Sequence, residues 1–325
     1  MKFALKKSVS RGSAVAALST ALIGAFSGAA HADALAQAYL DVSQFQLAFG
    51  AGVVPTGVSA PTLTASAQFN GAFATPTSPP NAALAQIGPN SGAFNPNTKI
   101  ASTPIPGLNY AAGFATQSGN SLPAGGGANA LSNSVVSLVP AGINNSSSGN
   151  NLLSQSFTVT VAGSQNVGAT FNADLFLRSF LTTPGVLLPS SNAQSTSTWA
   201  LNVSRRNAGG TFLDVVRWTP DNLLAFGGVN CIDAVNVTNC SGAAAFRMNN
   251  INTAFDNGED ARVVNNGAFR AGFTLESGFY RFELTHNTTA GARLLVPEPG
   301  TLALVGLSLV GLAAVGRRRA MRQAA

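Results

Sequence analysis

Among side chains whose type and spacing could do chemistry, His286 comes first. It lies in Thr285-His286-Asn287-Thr288, and an imidazole is the usual base of Ser/His/Asp and Cys/His sites. No Gly-x-Ser-x-Gly elbow accompanies it, so it reads as a surface histidine just past a strand, and no catalytic residues are assigned. Two carboxylate pairs are conceivable: Glu276 with Glu283, flanking the last strands, and Asp214 with Asp221, bracketing Trp218. Glycoside hydrolysis needs two carboxyls about 5–9 Å apart across a cleft, which spacing along strands does not reveal, and solvated strand ends account for them equally well. Asp256-Asn257-Gly258-Glu259-Asp260 offers oxygen ligands of the kind calcium takes, so Asp256, Glu259 and Asp260 form a weak calcium candidate. The cluster departs from the EF-hand loop and reads otherwise as an acidic turn; no metal or cofactor is expected. Trp199 and Trp218 are either a stacking platform for sugar rings or core residues, and their apolar neighbours favour the core. Cys231 and Cys240, the only two cysteines, are expected to pair in an exported chain, closing a small loop worth roughly 2–3 kcal/mol in the chain-entropy model. Asn236, Asn239 and Asn287 match the N-glycosylation pattern in a chain so rich in Asn and Thr that chance matches are expected.

The elements that would position these groups are strands. Phe157, Val159 and Val161 alternate with threonines, and Val167 to Leu177 hold one phase. Trp199, Leu201 and Val203 follow, then Phe212 to Trp218 after the turn-like Asn207-Ala208-Gly209-Gly210. Gly272–Leu275 and Phe279–Leu284, joined through Glu276-Ser277-Gly278, read as a hairpin. Between Tyr39 and Phe49 the apolar phase switches at Ser43-Gln44, which predicts a bulge or a bend. Asp256 to Val264 resembles a short helix broken by Gly258, and Asp221 to Phe226 one helical turn. Between Asp41 and Asp174 Lys99 is the only charge. There, clusters such as Thr75-Pro76-Thr77-Ser78-Pro79-Pro80 predict long loops over about 50–150, pinned by Phe69, Phe73, Phe94, Tyr110 and Phe114. A surface so poor in charge favours self-association. Many short alternating segments without βαβ spacing predict an all-β body, an antiparallel β-sandwich of jelly-roll type with long low-charge loops.

Both ends of the chain differ from this body. Lys2, Lys6, Lys7 and Arg11 precede an apolar stretch, Ala14 to Gly28, and then the small-x-small site Ala30-His31-Ala32 before Asp33. Residues 1–32 therefore read as a secretory signal peptide with a helical apolar region, cleaved before Asp33. At the other end Val296-Pro297-Glu298-Pro299-Gly300 is held extended by two fixed proline φ angles. The uncharged run 301–316 follows, about 24 Å long as a helix, then the basic stop Arg317-Arg318-Arg319 within the tail 317–325. The arginines belong on the cytoplasmic side, which leaves residues before the run outside. Of the 18 basic residues behind the formal charge of +6, eight sit in these two ends. The body, residues 33–295, is nearly neutral, so the basic balance gives no support to nucleic-acid binding.

In motif, apolar run and basic end, residues 296–325 resemble the PEP-CTERM sorting signal of Gram-negative bacteria. The resemblance implies Sec-type export, transient anchoring in the inner membrane by a C-terminal transmembrane helix, processing by a membrane exosortase, and delivery to the cell surface or extracellular matrix, including biofilm matrix. For the body it implies nothing. The reading is of a non-enzymatic surface or matrix protein, with a carbohydrate-binding, lectin-like sandwich on the same route as the alternative. Exopolysaccharide and further copies of the chain are the partner classes left open.

Overall fold

The computed structural model describes residues 33–78, 81–101, 108–120, 127–138, 145–182, 191–220, 237–241, 248–255 and 259–294, and in the tail 306, 308–311 and 313. The signal peptide, the one-turn helix over 221–226 and nearly all of the tail lie outside these residues. The described body is nearly all β. In chain order its strands are β1 (Ala34–Phe49), β2 (Val53–Val58), β3 (Thr62–Phe69), β4 (Ala72–Phe73), β5 (Ala82–Ile87), β6 (Tyr110–Asn120), β7 (Gly127–Leu138) and β8 (Asn145–Val161). There follow β9 (Gln165–Leu181), β10 (Asn192–Arg206), β11 (Phe212–Trp218), β12 (Val237–Ser241), β13 (Asn250–Ala254), β14 (Asp260–Leu275) and β15 (Gly278–Leu294). One sheet runs β12-β14-β9-β1-β7-β6-β5, and the other β11-β10-β15-β8-β3-β4, with β13 also on β10 and β2 also on β8. Long strands at the centre of each sheet carry antiparallel ladders, continuous between β15 and β8 and interrupted by one register shift between β1 and β9.

Inward-facing residues of both sheets meet in one large core. Phe171 of β9 is its hub, with Phe45, Trp199, Trp218 and Phe269 rings at 4.7–6.0 Å between centroids. Trp199 and Trp218 meet edge to face at 5.4 Å and are buried, as core residues. Toward the opposite end the interior changes character: Ala34, Ala36, Ala65, Ala67, Ala111, Ala193, Ala254, Ala290 and Ala292 supply most of a second cluster, closed by Leu138, Leu181 and Leu294. Phe171→Ala should therefore destabilise far more than a change in the alanine half.

The phase switch in β1 is a bulge. Pairing with β7 and β9 shifts register around Ser43 and Gln44, and Gln44 takes φ 56°. Asn129 Oδ1 accepts the Gln44 N–H at 3.0 Å, and Gln44 Oε1 accepts from Asn172 Nδ2 at 3.0 Å. Opposite it Gly127 (φ 100°) lies in a region that L side chains rarely adopt, and a Cβ there would sit tightly, 3.1 Å from the Gln44 backbone.

Three expectations are corrected. Much of the low-charge region over 50–150 is strand, β2 to β7, instead of long loops. In β3 (TLTASAQF) the buried positions are Ala65 and Ala67 between Thr64, Ser66 and Gln68, and alanine beside serine gives little hydropathy contrast, so the period-2 signal is faint. The hairpin at Glu276-Ser277 is a corner: β14 belongs to the seven-stranded sheet and β15 to the eight-stranded one. Alternation marks a buried face on each side of the turn, and two sheets facing each other across one core satisfy it as well as two neighbours do. The Tyr280 hydroxyl donates to the Glu276 carbonyl at 2.8 Å, holding the corner. The short helix is also absent where it is described: Asp260–Val264 opens β14 and pairs with Phe176–Phe180 of β9. Neighbouring-strand ladders there outweigh weak local helical charge patterning.

Unfolding Phe171→Ala in denaturant should show a loss of about 3–5 kcal/mol, the usual cost of emptying a buried aromatic site. Leu213→Ala, at a position 55% exposed, should stay within about 0.5 kcal/mol of the parent; equal losses would place the core elsewhere.

Candidate functional site

Two regions gather the polar chemistry of the body, and a third is where the chain leaves it. Between the aromatic and alanine cores lies a buried polar layer that spans the two sheets. His286 of β15 is fully buried, so the surface reading is corrected: it alternates with Leu284 and Thr288 on the inward face, which strand phase alone could have shown. Its Nε2 lies 2.8 Å from Ser132 Oγ of β7. Ser134 Oγ donates to the Thr288 carbonyl at 2.9 Å, and Gln117 of β6 bonds Gln155 of β8. Further along, Ser179 Oγ of β9 faces Ser195 Oγ of β10 and donates to the Asn252 carbonyl at 2.8 Å.

The Ser132–His286 contact has the outline of a nucleophile–base dyad, but its surroundings are those of a structural hydrogen bond. Both side chains are sealed from solvent, and no carboxylate acts on His286, so no acid orients the ring. Burial pushes the imidazole down to about 3, against a smaller upward pull from the Leu40 backbone. A neutral ring is what an interior without a counter-charge requires.

The second region is the outer face of the seven-stranded sheet, crossed by the strap 90–101. Gln37 Nε2 donates to the Thr98 carbonyl at 2.8 Å, and Gln37 Oε1 accepts the Ile100 N–H at 2.6 Å. Asn133 Nδ2 donates to the Pro96 carbonyl at 2.8 Å. Lys99, the only lysine of the body, pairs with Asp174 and lies over the Tyr39 ring, 5.1 Å from its centroid. Arg178, with no exposed surface, donates from Nη1 to the Ile100 carbonyl at 2.8 Å and from Nε to Asp260 Oδ1 at 2.9 Å. Asp41, beside Asp174, is pushed up by burial and by that neighbouring charge, with Lys99 opposing. Beneath the strap, Leu35, Phe94, Ile100, Leu108, Tyr110 and Val135 line a cavity of about 90 Å³.

The remaining candidates do not converge. Asp214 accepts from Ser204 Oγ at 2.7 Å on the surface, and Asp221 lies outside the described residues. Glu276 sits at the inter-sheet corner, where Ser164 Oγ donates to it, while Glu283 lies 3.9 Å from Arg281 on the outer face of β15. In the acidic cluster Glu259 Oε2 accepts the Phe255 N–H at 2.9 Å, and Asp260 is held by Arg178 and Arg262. Burial alone would raise the Asp260 carboxyl, yet the hydrogen bonds from Arg262 and Arg178 bring it to about 2. Asp256 lies outside the described residues, and among the described residues no group of three potential metal ligands occurs. Cys240 lies on β12, and Cys231 is outside the described residues.

The third region is the exit. Strand β15 pairs with β8 to its last residue, Leu294, two positions before the Val296-Pro297-Glu298-Pro299-Gly300 stretch. Residues 306, 308–311 and 313 are helical, with Leu309 and Val310 exposed. No helix among the described residues is long and apolar enough to cross a membrane, though most of the run 301–316 is not among them.

A family model of the PEP-CTERM protein-sorting motif matches residues 295–319, a stretch that begins one residue before Val296 and closes on Arg319. No curated protein and no solved structure matches the chain. The chain thus carries a sorting motif of PEP-CTERM type, which implies an exported protein handled by a membrane exosortase.

The buried imidazole has a measurable consequence. The unfolded chain takes up a proton near pH 6.5 and the folded chain only near pH 3, so protonation favours unfolding. Stability should be fully present above pH 6.5 and decline steadily toward pH 3, with His286→Gln removing most of that slope in denaturant titrations. The Asp260 contribution has another window, lost only as pH falls from 3.8 toward 2. An unchanged slope in His286→Gln would show that other groups set the acid sensitivity.

Proposed function

We propose that this is a non-catalytic exported protein of the cell surface or extracellular matrix. In this reading residues 1–32 direct Sec-type export, the run 301–316 holds the precursor in the inner membrane with Arg317, Arg318 and Arg319 on the cytoplasmic side, and an exosortase removes the tail. The observation that carries it is the sorting motif at 295–319, placed immediately after the last strand of a strand-rich body. The body supports a structural role. Its polar interior is used in sheet-to-sheet hydrogen bonds, and Lys99, Asp174 and Arg178 pin a strap. Pairing of Cys231 with Cys240 is part of this proposal, the loop being closed in an oxidising compartment.

A second reading, polysaccharide binding, is favoured by one specific feature. On the outer face of the eight-stranded sheet Thr196, Thr289 and Ser66 stand in one rank, and Thr285 and Ser154 in another. Such ranks offer uncharged donors and acceptors at the strand spacing of about 4.8 Å. With Trp199 and Trp218 in the core, any sugar contact would be polar, and a glycan array would show selective, saturable binding if this reading holds.

Intact-mass measurement and fractionation in a host with and without its exosortase test the main reading. With the enzyme, the mature chain should start at Asp33 and lack the apolar run; without it, the tail should remain and the chain should sediment with membranes. A tail retained in both hosts would make it an ordinary anchor. The same spectra, taken with and without reductant, should differ by about 2 Da for the one disulfide.

A further inference from the structure

Both ends of the sandwich body emerge at one pole. Strand β1 starts at Ala34, paired with Leu138 and Leu181, and β15 finishes at Leu294; all four side chains lie in the alanine-rich cluster. Six residues separate Leu294 from Thr301, where the apolar run begins, so the link is seven chain steps long. At no more than about 3.5 Å per residue that link reaches roughly 25 Å, and Leu294 is itself held in the ladder to β8 and buried. While the tail is in a bilayer, this pole is therefore held within about 25 Å of it.

The surface around the exit has the composition of a membrane-contacting rim. Among the described residues the only large aromatic side chains that are exposed are Phe73, at 74%, and Phe255, at 63%. Phe73 pairs with Gln68, whose rank continues through Ser148 of β8 to Gly291 of β15. Phe255 follows Ala254, whose rank continues through Ala193 of β10 to Ala292. Both thus lie within three residues of the level of Leu294, on opposite flanks of the exit strand. They are five strand spacings apart, about 24 Å. Between them stands Arg293, exposed and in register with Asn192 and Ser146. Of the acidic side chains at this pole, Asp33 precedes Ala34, Asp260 is engaged by Arg178 and Arg262, and Glu259 by the Phe255 N–H. Exposed aliphatic residues occur along the whole sandwich, Val54 and Leu213 among them, so it is aromatic exposure that is polarised.

We infer that the pole bearing Phe73, Arg293 and Phe255 docks on the lipid bilayer while the precursor is anchored, with the two phenyl rings in the interfacial layer and the guanidinium on phospholipid headgroups. Aromatic rings and arginine are the side chains that partition to that layer, and a tethered body meets it at no translational cost. The docked pole presents the sorting motif at the depth where a membrane enzyme works. This inference rests on the anchoring reading above.

The test uses the full chain, made without exosortase and reconstituted in phosphatidylethanolamine–phosphatidylglycerol vesicles whose lipids carry bromine near the headgroup end of the acyl chain. Tryptophan probes are placed singly by Phe73→Trp, Phe255→Trp and, at the opposite pole, Ala208→Trp; the native Trp199 and Trp218 are buried and give a constant background. Quenching of the added signal at 73 and 255 should exceed that at 208 at least twofold. Hydrogen exchange on the unsubstituted chain should slow at residues 70–73 and 255 in vesicles relative to the same chain in detergent, and stay unchanged at 207–210. Vesicle flotation with equal quenching and unchanged exchange at both poles overturns the docking alone. A chain that fails to float with the vesicles overturns the anchoring reading and the docking with it.

Discussion

Strand β15 is the constraint on which the rest of the molecule depends. Its seventeen residues pair with β8 on one side and β10 on the other along almost their whole length. Its inward face passes through every layer of the interior: Tyr280, Phe282 and Leu284 in the aromatic core, His286 and Thr288 in the polar layer, Ala290, Ala292 and Leu294 in the alanine core. A strand hydrogen-bonded on both edges cannot slip by one residue without turning that whole series to solvent. The same strand then becomes the link to the sorting motif, so the register that organises the core also sets where the tail leaves.

A chain with so little charge must satisfy its buried polar groups with neutral partners. The serine, threonine and glutamine pairs between the sheets do this, and His286 joins them by staying neutral. Under the strap on the outer face, Lys99 pairs with Asp174, and the buried Arg178 gives donors to Asp260 and the Ile100 carbonyl. Removing one member of such a buried set leaves the other uncompensated, which is why these pairs fix position more than they add net stability. The strap thereby covers a sheet face that would otherwise expose Leu35, Tyr110 and Val135.

Legibility in the sequence followed side-chain contrast. Where large apolar residues alternate with threonine, as in Phe157–Val161 and Val167–Leu177, strands and buried faces could be read directly, and the switch at Ser43-Gln44 marked a real bulge. Where the buried positions are alanines among residues of little contrast, Thr, Ser and Gln in β3 and Ala, Leu and Gln in β5, the same alternation is present but too weak to separate strand from loop. His286 was misplaced for another reason: its polar neighbours Thr285 and Asn287 suggested a surface, although inward phase continues through it from Leu284. Nothing along the chain announced the strap, since Gln37, Asn133 and Arg178 are distant in sequence and meet residues 96–100 only through β1, β7 and β9.

What the sequence determined by itself is the sorting route and the class: motif, apolar run and arginines are contiguous, so their chemistry is legible without a fold, and period-2 patterning marks the body as β. What only the tertiary structure decided is partnership: which strands share a sheet, that Glu276-Ser277 turns between sheets, that His286 meets Ser132, and that both ends of the body leave by one pole. Alternation reports that one face of a strand is buried, but the choice of neighbour rests on long-range ladders and on the facing sheet. Those contacts join residues far apart in the chain, Ser132 and His286 by 154 positions and Phe49 and Phe282 by 233, and no local pattern encodes them.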